Sequence, residues 1–229
     1  MPRSASPARR RCSPQWGSPR AVLDRPDVDA YHPENERYFA AVKVDPQSYH
    51  RNPTVDDAVR ESDAVVVGEV VDVRILGVTV GETADLVAPA YGYGVRVDKV
   101  LHGSLRASDR ERLTVLLQDA MLRSLAEPGS RLETAPRGLG TWILRSNRSS
   151  AEDTGRTMRE RGDSSDQIAE FLRWYSPAYI PAGAVQGILM QGRHHVQSPL
   201  DDNPGTALAA DAARYSKLSE LNSAIEKMG

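Results

Sequence analysis

The run AVVVGEVVDVRILGVTV, at residues 64–80, constrains the fold more than any other part of the sequence. Its β-branched residues disfavour a helix, and it is about three times as long as an average strand. Both faces of such a strand are apolar up to Val70, and beyond Val70 one face becomes polar. Gly68 and Gly77 are natural places for a bend, since Gly inside a strand marks a bulge or a barrel corner. The run therefore predicts a bent first strand that coils around a small barrel.

Further segments with strand-like alternation follow, separated by turn residues. They are residues 93–101, 112–118, 140–145, 184–192 and 194–200, and the last two would form a hairpin around Gly192 and Arg193. Several short strands between turns are typical of a barrel or a sandwich. The predicted fold class is mainly β with accessory helices (α+β), a small barrel with a long bent first strand.

Helices are predicted at three places. Thr54 can N-cap a short helix just before the Val-rich run. Ser164, with Gln167 three residues later, predicts a capping box and an inserted helix over 164–176. Apolar residues repeat with helical spacing over 206–229, which predicts one C-terminal amphipathic helix. The charged, Ser-rich residues between 145 and 164 are interpreted as an exposed loop.

Three parts of the chain follow from these segments. Residues 1–53 are expected to be a poorly ordered N-terminal segment, with a short helix near ENERYFAAVKV. Residues 54–200 are expected to form the barrel domain, with a helical insertion at 146–178. Residues 201–229 are expected to pack on the barrel as the C-terminal helix.

The composition of the chain limits the classes of partner and site that are expected. The 229 residues carry a formal net charge of −2, so the excess of basic residues typical of nucleic-acid or membrane binding is missing. Cys12 is the only cysteine, which excludes an intramolecular disulfide and a multi-cysteine metal site. No stretch approaches the ~20 apolar residues of a membrane span.

The first twenty residues contain five Arg and no acidic residue. No apolar run follows them, so no signal peptide is readable and a cytoplasmic location is the default expectation. Three interpretations of this basic arm stay open: a disordered tail, an extension from a wrongly chosen start codon, and an anion-binding arm.

The order of these segments resembles a known architecture. A helix leads into SDAVVVGEVVDV, and YGVRVDKVLHG and RLTVLL follow, with the phrase Val-x-Val-x-Lys-Val-Leu-x-Gly at 95–103. Over residues 54–145 this resembles the OB-type β-barrel domain of bacterial uncharacterised proteins, distantly reminiscent of netrin-like and metalloproteinase-inhibitor domains. Those inhibitors depend on an N-terminal Cys-x-Cys that chelates the zinc of the target, and this chain has only Cys12. The resemblance therefore implies an OB-like fold, and fold does not determine function.

No sequence motif identifies a catalytic residue, a metal site or a cofactor. His194 and His195 are adjacent, so in a strand their side chains would lie on opposite faces, and no HExxH phrase accompanies them. The Gly-x-Ser-x-Gly elbow and the phosphate-binding glycine loops are also missing.

The loop after the first strand of an OB barrel commonly lines the binding face, where aromatic side chains stack on ligands. Tyr91, Tyr93 and Arg96 are therefore the candidate ligand-binding residues. In the alternative interpretation, Tyr93 packs inside the barrel and Tyr91 covers its mouth.

Three functional hypotheses follow. The first is a non-enzymatic binding or interaction module for an unidentified protein or small ligand, of unknown oligomeric state. The second is a hydrolase whose site is built on the late hairpin from His194 or His195 with Asp201. The third, single-stranded nucleic-acid binding, rests on fold analogy alone.

Overall fold

A computed structural model describes residues 26–41, 54–80, 87–117, 135–183, 185–199 and 207–228. Strands within them are Ala64–Val80 (β1), Val87–Gly103 (β2), Arg112–Leu117 (β3), Leu139–Ser146 (β4), Tyr179–Pro181 (β5), Ile188–Gln191 (β6) and Val196–Gln197 (β7). Helices within them are Glu34–Ala41 (α1), Val55–Arg60 (α2), Arg148–Arg161 (α3), Ser165–Tyr175 (α4), Ala207–Ala212 (α5) and Leu218–Glu226 (α6).

Five strands close into a barrel in the order β1-β2-β3-β5-β4, and pairing of β1 with β4 completes the ring. The parallel pair is β3 with β5, and the other neighbours in the ring are antiparallel. β6 pairs with the free part of the β4 edge and carries β7. The predicted fold class, mainly β with accessory helices, is confirmed, and the closed ring is consistent with an OB-like barrel.

The long first strand is confirmed over its full predicted range. Its register shifts between Val67 and Gly68 and again between Ile75 and Gly77, the two bends predicted from the glycines, and at two further places. A Cβ on Gly68 would lie 2.7 Å from the carbonyl oxygen of Arg96, so a side chain at the first bend would push β1 and β2 apart.

The two apolar faces of early β1 enter two different cores. Ala64 and Val66 point into the barrel, where they pack with the fully buried Trp142. Val65 and Val67 point outward, into a second core that α2, α5 and α6 cover. A strand covered on both sides in this way requires the continuous apolar run seen in the sequence.

Helix α1 belongs to the barrel core. Tyr38 and Phe39 are buried among the interior side chains, and the rings of Tyr38 and Tyr93 lie 6.4 Å apart. The Asn35 side chain fixes the helix by donating to the Arg137 carbonyl (3.1 Å) and accepting from the Arg137 amide (2.7 Å). Residues 26–41, which the sequence analysis places in the N-terminal segment 1–53, thus pack on the barrel, and residues 1–25 and 42–53 lie outside the described residues.

The exposed loop predicted between residues 145 and 164 is wrong, because α3 occupies most of this stretch. Ala151 and Gly155 are its buried residues, too few to produce a readable apolar stripe. Gly155 permits close packing on α4, since a Cβ there would lie 3.2 Å from a methyl carbon of Leu172.

Both predicted N-caps are confirmed. Thr54 Oγ1 accepts from the amide of Asp57 at 3.1 Å, at the start of α2. At α4 the capping box is complete: Ser164 Oγ accepts from the Gln167 amide at 3.2 Å, and Gln167 Oε1 accepts from the Ser164 amide at 3.0 Å.

The single C-terminal helix predicted over 206–229 is wrong, since two short helices, α5 and α6, replace it. The break has a structural reason, because the Val196 amide of β7 donates to the carbonyl of Tyr215 in the intervening turn at 2.9 Å. After the break α6 buries Leu218, Leu221 and Ile225 against the outer face of the barrel. Within the described ranges, every helix is too short or too polar to cross a membrane.

Replacing Tyr38 with Ala tests whether α1 is an integral part of the core. Loss of a large buried aromatic side chain should lower the free energy of unfolding by about 3–5 kcal/mol, measured by urea denaturation. Arg37→Ala, at an exposed position of the same helix, is the matched control and should change it by less than about 0.5 kcal/mol. Equal effects of the two changes would show that α1 does not contribute to the core.

Alkaline pH provides a second test of the same core. Burial raises the pKa of Tyr38 and of Tyr93, and for Tyr93 the neighbouring Tyr38 adds to the rise. Because the tyrosine pKa in an unfolded chain is about 10, stability should be full below that pH and should fall as the pH rises above it. Urea midpoints at pH 8 and pH 11 measure the fall, and Tyr38→Phe should reduce it. A fall of the same size in Tyr38→Phe would contradict the assignment to Tyr38.

Candidate ligand-binding groove between α6 and the barrel

One polar face of α6 borders an open groove of about 540 Å³. This groove face consists of residues at helical spacings of three and four, which bring side chains to one side of a helix: Ser219, Asn222, Ser223 and Glu226. The adjacent apolar stripe of α6 is buried on the barrel, so the groove face lies along the line where helix and barrel meet.

The barrel and the start of the described chain form the rest of the groove. Its apolar lining consists chiefly of the buried Val67, Leu101 and Leu139, from β1, β2 and β4. Asp98 and Lys99 of β2 line a second side, and residues 26–28 line the groove as well. A volume of several hundred Å³ with an apolar base and a few polar groups is typical of small-molecule sites.

Asp29 ties the start of the described chain to α6. Its carboxylate accepts from the Ser219 amide at 2.8 Å and from Ser219 Oγ at 2.7 Å. The Asp29 amide in turn donates to Asp27 Oδ1 at 2.9 Å. A carboxylate in the first turn of a helix also suits the helix dipole, so these bonds hold the two sides of the groove together.

Asn222 is the buried polar residue of the groove, with 8% of its surface exposed. Its Oδ1 accepts from the fully buried Thr141 Oγ1 at 2.5 Å, which fixes the orientation of the amide. Its Nδ2 carries two donors, and the residue lines the groove. A ligand oxygen in the groove would accept a hydrogen bond from this oriented amide.

Charges on the lining favour cations. Three carboxylates, those of Asp27, Asp98 and Glu226, stand against one ammonium group, that of Lys99. Lys99 Nζ forms an ion pair with Glu226, whose side chain is 37% exposed, and such exposed pairs contribute little stability. The lining therefore has a net negative charge.

The candidate residues predicted from the sequence lie elsewhere. Tyr93 is buried inside the barrel against Tyr38, and the half-buried Tyr91 packs on the same core. Arg96 points outward, with its Nη2 2.5 Å from Glu69 Oε2. The structure thus brings the two tyrosines together and separates Arg96 from them, since alternate residues of a strand face opposite sides. The loop 81–86 lies outside the described residues, and ligand binding at these three residues stays a prediction.

The outer face around Arg96 carries further charges, and they are paired. Asp72 forms ion pairs with Arg74 and with Arg112 across the surface of β2. Gly94 leaves room for these ion pairs, because a Cβ at position 94 would overlap the Asp72 carboxylate and lie 2.7 Å from Arg112 Nη2.

The histidines of the late hairpin lie in a turn instead of the predicted strand. β7 covers only Val196 and Gln197, and the Gly192 amide donates to the His195 carbonyl at 3.0 Å to close the turn. His194 is exposed and His195 is half-buried, while Asp201 lies outside the described residues. The hydrolase hypothesis stays a prediction.

No protein-family model, curated protein or solved structure matches this chain. Among the described residues, no group of three or more His, Cys, Asp or Glu is arranged to hold a metal ion.

Sequence reasoning missed the groove, although one signal for it was readable. The polar residues at 219, 222, 223 and 226 alternate with the apolar stripe that predicts the amphipathic helix. Their partners were not readable, because Asp29 is 190 residues away from Ser219 in the sequence.

Asp29→Ala tests the link between the start of the chain and α6. Loss of the carboxylate should weaken the first turn of α6 by about 1 kcal/mol, so the Ser219 amide should exchange with solvent roughly fivefold faster. Asp153→Ala on the exposed face of α3 is the matched control and should leave that amide unchanged. Unchanged exchange in Asp29→Ala would show that the link does not stabilise the helix.

Proposed function

We propose that this protein is a non-enzymatic binding module and that the groove between α6 and the barrel takes a small ligand. The observation that carries this proposal is the Asn222 side chain, which lines a groove of about 540 Å³ and whose amide is held in one orientation by the hydrogen bond from Thr141. A polar group held in a fixed orientation beside an apolar surface is typical of small-molecule sites.

The lining defines the chemistry of the ligand. A carbonyl, carboxylate or hydroxyl oxygen would accept from Asn222 Nδ2. An ammonium or guanidinium group would face Asp98 and Glu226, and a short apolar portion would cover Leu101 and Leu139. A small aliphatic amine or guanidine that also carries a carbonyl group satisfies all three requirements.

The same lining does not suit nucleic-acid binding or serine hydrolase chemistry in this groove. Three carboxylates beside one paired lysine repel phosphate groups, so the groove does not favour nucleic acid. Its serines are held by other bonds, since Ser219 Oγ donates to Asp29 and Ser223 Oγ donates to the Ser219 carbonyl at 2.9 Å. Among the described residues that line the groove there is no histidine, so no imidazole base from them lies beside either serine.

A screen of small amines, guanidines and neutral apolar compounds tests this function. Binding is measured by chemical-shift changes of the backbone amides of the α6 groove face and of the Asn222 side-chain amide. We expect amines and guanidines that carry a carbonyl group to shift these signals, and neutral apolar compounds to have weaker effects.

A matched pair of variants tests whether the compounds bind in the groove itself. Ser223 is exposed on the groove face, and Trp at this position should fill the groove and weaken binding about tenfold or more. Ser150→Trp adds the same side chain on the exposed surface of α3 and should leave binding unchanged. If no compound shifts the groove signals, or if Ser223→Trp binds as well as Ser150→Trp, the proposed function is wrong.

A further inference from the structure

Lys99 and Glu226 place two opposite charges side by side in the lining of the groove. Lys99 belongs to β2 and Glu226 ends α6, and an ion pair between Lys99 Nζ and Glu226 Oε1 joins the helix to the barrel. Among the described residues of the lining, Lys99 is the one with a positive charge. A ligand thus meets one ammonium group and one carboxylate in direct contact.

We propose that this ion pair selects a zwitterion, namely a free α-amino acid with an aliphatic side chain. The carboxylate of the amino acid binds Lys99 and its ammonium group binds Glu226, so four charges of alternating sign replace the two of the protein alone. This inference rests on the proposed function, because it defines the class of ligand for the same groove.

The geometry of the pair supports this ligand. In an α-amino acid the ammonium nitrogen and the carboxylate carbon are attached to one carbon atom, so the two charges are about as close together as those of an ion pair. The side chain of Lys99 is 52% exposed and that of Glu226 is 37% exposed, so both charged ends can turn toward a ligand. One small molecule can therefore contact both protein groups at once.

The number of ion pairs distinguishes the classes of ligand. A cation that binds Glu226 breaks one pair and forms one, and an anion that binds Lys99 does the same. A zwitterion breaks one pair and forms two. Its advantage therefore equals one exposed ion pair, which corresponds to roughly two- to fivefold in affinity.

The lining beside the pair suits an aliphatic side chain. Lys99 is paired with Val67 in the register of β1 and β2, and the buried Val67 lines the groove. Leu101 is two residues from Lys99, so it lies on the same face of β2, and it lines the groove as well. An amino acid whose charged groups bind the ion pair would place its side chain on these two residues.

Three compounds with the same branched side chain separate the two charges. Leucine carries both, leucine amide carries the ammonium group alone, and isocaproate carries the carboxylate alone. Binding is measured from chemical shifts of the backbone amides of the α6 groove face, at about pH 6.5, where the amines are protonated. The unchanged protein should bind leucine roughly two- to fivefold more tightly than either of the other compounds.

Removing one charge of the pair at a time should shift these preferences in opposite directions. Lys99→Met leaves Glu226 without its partner, so leucine amide should bind roughly two- to fivefold more tightly than to the unchanged protein, and no more weakly than leucine. Glu226→Gln leaves Lys99 without its partner, and isocaproate should gain affinity in the same way. A merely structural role of the pair would change the affinities of all three compounds alike.

The exposed ion pair between Arg148 and Glu152 on α3 provides matched controls. Arg148→Met and Glu152→Gln make the same changes of charge away from the groove and should leave all three affinities unchanged. Equal affinity of the unchanged protein for the three compounds would overturn the inference. The inference would also be wrong if Lys99→Met and Glu226→Gln kept the order of affinities seen in the unchanged protein.

The same titrations keep this inference distinct from the proposed function. If leucine amide binds as tightly as leucine and Ser223→Trp weakens both, the groove function stands and the ion pair does not select a zwitterion. The same conclusion holds if other amines bind in the groove and leucine does not. If no compound shifts the groove signals, the proposed function fails together with the inference.

Discussion

The rest of the structure depends on the place where β1 closes the barrel. There the indole nitrogen of Trp142 donates to the carbonyl of Gly68 at 3.0 Å inside the core. Gly68 and Gly140 face each other across the β1–β4 pair, and Gly68 also approaches β2 closely. The bend lets one strand pair with β2 on one side and β4 on the other, so the sheet becomes a ring with two faces to cover.

The inner and outer faces of the barrel are covered by different groups. The inner face is filled by Trp142, Tyr93 and the α1 side chains. The outer face of early β1 is covered by short helices, and coverage is incomplete beside α6. The groove is therefore a consequence of covering a barrel with helices that are shorter than its strands, and the polar face of α6 gives it polar groups beside an apolar lining.

Local sequence patterns predicted the elements whose conformation depends mainly on residues close together in the sequence. The alternation and glycines of residues 64–80 predicted β1 and two of its bends, and Ser164 with Gln167 predicted the start of α4. Helix α3 was missed because its packing depends on Ala151 and Gly155, whose small side chains leave no stripe. The break before α6 was missed because it depends on a contact with β7. The Tyr215 carbonyl accepts a hydrogen bond from the amide of Val196, which is 19 residues away in the sequence. The groove depends on pairs such as Asp29 with Ser219 and Thr141 with Asn222, which only the folded chain brings together.

Asn222 is proposed as the anchor of the ligand site. A crystal structure of the full chain grown with arginine amide tests it most directly. We expect the carbonyl oxygen of the compound within hydrogen-bond distance of Asn222 Nδ2 and its guanidinium group beside Asp98 and Glu226. An Asn222 amide that is satisfied by the protein itself, with the compound bound elsewhere or absent, would contradict the claim.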